Sequence, residues 1–228
     1  MKVAVIRLPG SNCDQDALHS LREDVGVGAE YVWYEQESLE GFDAVFLPGG
    51  FSYGDYLRCG AMASLAPVMA EVRRFASEGR PVIGVCNGFQ TLCEAGLLPG
   101  ALLQNASERF VCRTVLLETA GRASVWTEGV GRLIRLPIAH GEGRYVCDDE
   151  TLRQIQDDGL VAFRYVDATG NATPEANPNG SADNIAGVIN KAGNVLGMMP
   201  HPERATRQLH GGSDGLLILG GLNLVSAG

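Results

Sequence analysis

The sequence predicts an α/β protein built on a mostly parallel open sheet, with helices on both faces and additional strands in the C-terminal half. Two observations carry this expectation. Through about residue 100, short apolar runs alternate with amphipathic runs of helical period, as in parallel strands joined by crossover helices. Beyond that point strand-like runs follow one another with little helix between them.

In chain order, KVAVIR (2–7) is a continuous apolar run and reads as a buried strand. Residues 14–24 start polar and carry Leu18 and Leu21 on one face, as a helix would. AEYVWY (29–34) and DAVFL (43–47) read as two further strands. Residues 62–77 place Leu65, Val68, Met69, Val72 and Phe75 at helical spacing, closed by Gly79. PVIGV (81–85) is a fourth strand, and a helix-like run follows to Glu94. After it come strand-like segments at 110–118, 123–127, 133–139, 160–166, 185–190 and 193–199. Only 149–157 and 213–225 look helical there. Residues 167–184, dense in Gly, Pro, Asn and Asp, read as loop. No repeat or linker divides the chain, so residues 1–228 are expected to form one domain.

Composition removes several classes of function. A formal charge of −9 over 228 residues repels phosphate backbones, which argues against nucleic acid as a partner. There is no basic amphipathic stretch for an anionic membrane and no apolar run near the ~20 residues of a transmembrane helix. The apolar start is too short for a signal-peptide core, so a cytoplasmic location is expected. The six cysteines contain no CxxC pair, so they read as free thiols and not as a zinc cage. No metal site is expected.

Three places set a nucleophile among glycines or beside a helix start. In Gly84-Val85-Cys86-Asn87-Gly88-Phe89-Gln90, a strand runs into the cysteine and a helix leaves it, the arrangement of a nucleophile elbow. A helix N-terminus there favours thiolate. The structural alternative is a buried cysteine that only packs. Gly50-Phe51-Ser52-Tyr53-Gly54 matches the hydrolase G-x-S-x-G pattern, but no helix begins at once, which makes Ser52 a loop residue. Cys13 lies near a helix start with Asp14 and Asp16 opposing a thiolate, and reads as structural or as a neighbour of substrate. Cys59, Cys93, Cys112 and Cys147 have no such setting, and Cys93 is expected in the core.

A thiol nucleophile needs a histidine held by a third group. His201-Pro202-Glu203 follows a strand, and Pro202 stiffens a link that lets the carboxylate hold one ring nitrogen. His140-Gly141-Glu142 is the rival base. The turn Leu47-Pro48-Gly49-Gly50 can point backbone N–H groups at an anion, which with the amide after Cys86 would form an oxyanion hole.

Together Pro48-Gly49-Gly50, Gly84 to Gln90 and His201-Pro202-Glu203 resemble the signature of class I (triad) glutamine amidotransferases. The blocks PGSNCD (9–14), GGFSYGDYLRCGAMA (49–63), PIAHGEGRY (137–145), NPNGS (177–181) and GNVLGMMPHPER (193–204) are similar to the family of glutaminase subunits of phosphoribosylformylglycinamidine synthases, over nearly the whole chain. The resemblance implies Cys86 as nucleophile, His201 as general base and then acid, and Glu203 as orienter. It implies a glutamyl thioester released by water as glutamate. Gly50 and Asn87, beside Gly49, match oxyanion positions, and Gln90 matches one that lines the glutamine site. His140, Glu142 and Arg144 belong to the pattern without an assigned role. A P-loop lysine is missing, because neither Lys2 nor Lys191 follows a Gly or precedes Ser or Thr. No cofactor is therefore expected on this chain. The resemblance implies ATP and Mg on a large synthetase subunit, with a small third subunit and glutamine as the remaining partners. The competing readings are a free-standing thiol hydrolase on a similar sheet and a binding module that has lost its chemistry. The complete set Cys86, His201, Glu203 and the Gly-x-Gln of the elbow argue against both.

Overall fold

Val3, Ala4, Val5 and Ile6 are all buried, so strand β1 (Lys2–Arg7) is covered on both faces, as its unbroken apolar run requires. The computed structural model describes every residue except Leu57 and 226–228. From β1 the chain passes through helix α1 (Asp14–His19) and a π-helical turn (Ser20–Val25) into β2 (Gly28–Trp33). It continues through β3 (Ala44–Leu47), helix α2 (Val68–Ser77), β4 (Val82–Val85) and helix α3 (Asn87–Glu94). Then follow β5 (Ala101–Leu103), β6 (Val111–Thr119), β7 (Leu133–His140), β8 (Arg144–Val146), α4 (Asp149–Asp157), β9 (Val161–Val166), β10 (Ile185–Ile189), β11 (Val195–Met198), α5 (Gly215–Leu219) and α6 (Gly221–Val225).

Among the described residues, nine strands form one sheet in the order β2-β1-β3-β4-β11-β10-β9-β6-β7, and β5 pairs with β8 in a small second sheet. The first five strands are parallel and the last four are joined antiparallel. The expected parallel sheet with extra strands from the C-terminal half is this arrangement. The β1-to-β2 and β3-to-β4 crossovers run in opposite directions along the sheet. Right-handed connections therefore set α1 and α2 on opposite faces. Strand order thus reverses between β1 and β3, and the crevice beyond the carboxyl ends of parallel strands at such a point is where ligands bind. Leu47 pairs with Gly84 and Val85 with Met198, so β3, β4 and β11 end level and deliver their next residues to one place.

Several sequence expectations shift. The helix anticipated over 62–77 begins only at Val68. Pro67 forces Ala66 into extended backbone (ψ 144°), which detaches a single 3-10 turn at Ala63–Leu65 and leaves Leu65 exposed. Residues 123–127 are a turn and not a strand. The Ser124 and Thr127 hydroxyls bond back to local backbone, and Trp126 is buried with Nε1 donating to the Asn194 carbonyl at 2.9 Å. The C-terminal helix is two short helices. Strands β5 and β8 have three residues each, too few to show a pattern. No helix among the described residues is long and apolar enough to cross a membrane.

Candidate active site

Strand β4 stops at Val85 and helix α3 starts at Asn87, so Cys86 makes the whole turn alone. Its φ of 53° and ψ of −108° form a strained conformation for a residue with a side chain. Its neighbours explain how the chain tolerates this. A Cβ on Gly84 would come within 2.6 Å of the Gly88 carbonyl oxygen, and one on Gly88 within 2.0 Å of the Leu47 carbonyl oxygen. The Cys86 amide donates to the Met198 carbonyl at 2.8 Å, which ties the elbow to β11.

Strand β11 leads through Met199 and Pro200 to His201, whose amide donates to the Pro137 carbonyl of β7 at 2.9 Å. His201 Nδ1 and Glu203 Oε1 are 2.6 Å apart, and both side chains are out of solvent. Burial alone would lower the histidine pKa. The Glu203 charge, with hydrogen bonding to the Cys13 and Cys86 thiols, outweighs it and holds His201 well above the usual histidine range. The convergence is tight: a Cβ on Gly49 would come within 2.9 Å of both Cys13 Sγ and His201 Cε1, and within 3.3 Å of Cys86 Cβ.

A cavity of about 320 Å³ opens at this place, lined by Cys86, His201, Cys13, Gly50, Gln90 and His140, among others. Gly50 comes from the turn after β3. Asn87 is the first residue of α3, whose leading N–H groups have no partner within the helix. Gln90 is buried here with its amide already engaged: Oε1 accepts from Asn87 Nδ2 at 2.8 Å, and Nε2 donates to the Glu142 carbonyl. Asn87 Oδ1 in turn accepts from the Ser52 amide at 3.3 Å. Gln90 thus braces the wall between two loops. Ser52 lies buried in a 3-10 turn (Ser52–Asp55) and does not itself form a strand-to-helix elbow.

The structure gives a place to residues that the sequence left without a definite role. Asp55, Cys59 and Glu142 form an acidic wall of the same cavity. Burial, followed by hydrogen bonding and charge from Glu142 and Asp55, pushes the Cys59 thiol up, so it stays protonated. Asp55 is also raised, chiefly by burial and further by the Glu142 charge. Arg204 Nη2 donates to Cys13 Sγ at 3.1 Å and its Nε to Asp16 at 2.9 Å. Burial raises the Cys13 thiol despite this and the hydrogen bond with His201. Each stands in a block that carries the family resemblance, but contacts distant in sequence decide what it does here. Arg144 lies in β8, and its side chain does not line the cavity. Cys13, His201 and Glu203 are the one group of potential metal ligands among the described residues, with atoms within 4.8 Å of one another. The short Glu203 bond already occupies His201 Nδ1.

Residues 1–212 match the CobB/CobQ-like glutamine amidotransferase domain. Among solved structures, a chain of PurLQS from Thermotoga maritima is 43% identical, with a TM-score of 0.85 and 98% of each chain covered. A putative GMP synthase protein from Thermoplasma acidophilum is 16% identical, with a TM-score of 0.64 over 100% of this chain and 96% of that one. A glutamine amidotransferase from Thermotoga maritima is 15% identical, with a TM-score of 0.56 over 92% and 79%. The last two share the fold.

Proposed function

The chain belongs to the CobB/CobQ-like glutamine amidotransferase domain family, and on that premise we propose that it is the glutaminase subunit of a phosphoribosylformylglycinamidine synthase. The observation that carries the mechanism is the strained Cys86 elbow opening into the cavity that His201, held by buried Glu203, also lines. The 43% identity to a PurLQS chain over 98% of both chains supports the particular synthase.

His201 holds the proton of Cys86, and the thiolate attacks the side-chain carboxamide of glutamine. The carbonyl oxygen becomes an oxyanion held by the N–H groups of Gly50 and Asn87. The proton on His201 passes to the amide nitrogen, the C–N bond breaks, and ammonia leaves a glutamyl thioester on Cys86. Water, deprotonated by His201, attacks the thioester. Glutamate departs and the thiol recovers its proton. Glu203 keeps the ring oriented and stabilises the imidazolium between these steps. Asp55 and Glu142 give the cavity an acidic wall suited to the α-ammonium group of glutamine.

Ammonia released into water becomes ammonium, which is not a nucleophile, so delivery to a partner is part of the function. We place ATP and Mg on the large synthetase subunit, with a small third subunit completing the assembly and no cofactor on this chain. The setting is the cytoplasm, where purine synthesis would occur. Glutamine hydrolysis measured with and without candidate synthetase subunits tests the proposal. Glutamate release that rises with the complete assembly, matched by amidine formation, supports it. No hydrolysis under either condition overturns it.

A further inference from the structure

His140 ends strand β7 beside the proposed catalytic pair. Earlier on the same strand, the Pro137 carbonyl accepts from the His201 amide, and the Ala139 carbonyl lies 3.9 Å from Cys86 Sγ. His140 is among the residues that line the same cavity, and it is 3% exposed. Its Nδ1 lies 3.1 Å from Asn105 Oδ1. The orientation of Asn105 is fixed, because its Nδ2 donates to the carbonyls of both Arg109 (2.8 Å) and His140 (2.9 Å), while Oδ1 also accepts from the Gly143 amide (3.0 Å). With Oδ1 as acceptor, His140 Nδ1 must carry the hydrogen. In the neutral ring Nε2 is then a bare lone pair, buried and without a partner in the protein.

We propose that His140 Nε2 is the acceptor for an N–H of the scissile carboxamide and then of the departing ammonia. This rests on the glutaminase reading and adds a substrate-touching residue to it. Once His201 has handed over its proton, the leaving nitrogen carries three N–H groups against a wall that includes the buried residues Cys86, Gln90, His140 and His201. His201 can face one of them. A buried N–H without an acceptor is costly, and Nε2 is a buried acceptor without a donor. Burial, assisted by the charge on His201, lowers the His140 pKa to about 4. The ring therefore stays neutral at pH 7. It can hold ammonia by an N–H without supplying the proton that would turn it into ammonium. A carboxylate in the same place would favour the charged, non-nucleophilic form.

The test uses the full chain, together with its synthetase where turnover requires it. Acylation is followed in single turnovers with glutamine and with the γ-methyl ester of glutamate, whose leaving group has no N–H. His140→Leu should slow acylation by glutamine about tenfold or more, the loss of roughly one buried hydrogen bond, and leave the ester within about twofold. His140→Gln, which restores an acceptor oxygen, should recover part of the glutamine rate. Equal losses on both substrates, or no loss on either, overturn the proposal. If the leucine variant does not fold, His140→Gln against His140→Met makes the same comparison. Failure of the underlying glutaminase reading is distinct, because the unmodified chain would then release glutamate from neither compound.

Discussion

His201 Nδ1 meets Glu203 Oε1 at 2.6 Å, with neither side chain reaching solvent. Pro202, the one residue between them, restrains the link, and the carboxylate takes Nδ1 and leaves Nε2 free of it. The division of labour in the proposed mechanism follows from that bond.

Removing His201 should cost most of the rate, because general acid–base catalysis contributes ~10²–10⁴-fold and serves both the acylation and the release steps. Glu203→Gln keeps the shape but lacks the charge that stabilises imidazolium, so its loss should be smaller. The double variant should be little worse than His201→Ala, since the two act as a unit. Single-turnover glutamate release measures all three. Additive losses would show that the residues act separately.

Gly88→Ala should destabilise the chain by about 1–3 kcal/mol or more, because the new methyl group would press on the rigid backbone of β3. Its Cβ would lie 2.0 Å from the Leu47 carbonyl oxygen. Denaturant unfolding reads this directly. An unchanged midpoint would mean that α3 does not pack this closely on the strand.

Stability should carry the mark of His140. Its folded pKa, about 4, lies below the unfolded histidine value. Between these values the unfolded chain binds more protons, so stability falls as pH falls. His201 acts in the opposite sense: its raised pKa adds stability at low pH that is lost as pH rises through the folded value. Comparison with His140→Gln isolates the first effect. From pH 7 to pH 5 the unmodified chain should lose about 2 kcal/mol relative to the variant. A constant difference across that range would mean that His140 is accessible to protons.

Ser52→Ala should retain substantial glutaminase activity, because Ser52 occupies a 3-10 turn and meets α3 through its backbone amide. A loss comparable to that of Cys86→Ala would restore the hydrolase-elbow reading.

The parts of the site that are contiguous in sequence were legible there. The Gly84–Gln90 elbow and the His201–Glu203 pair each fit within seven residues, and the strands before them announce themselves as buried apolar runs. The wall formed by Asp55, Cys59 and Glu142 was not legible, because nothing near Cys59 reveals that two carboxylates fold against it. Asn105, which sets the His140 tautomer from 35 residues away, was equally silent. The misread elements have local causes. Pro67 broke a pattern whose hydrophobic spacing was otherwise helical, and the Ser124 and Thr127 hydroxyls turned an apolar stretch back on itself.

In the proposed mechanism this chain frees ammonia through the Cys86 thiol and the synthetase uses it. The most direct measurement is synthesis by the assembled complex carrying Cys86→Ala, supplied with either glutamine or ammonia. Glutamine-dependent synthesis should disappear while ammonia-dependent synthesis continues at close to its normal rate. Equal loss with both nitrogen donors would contradict it.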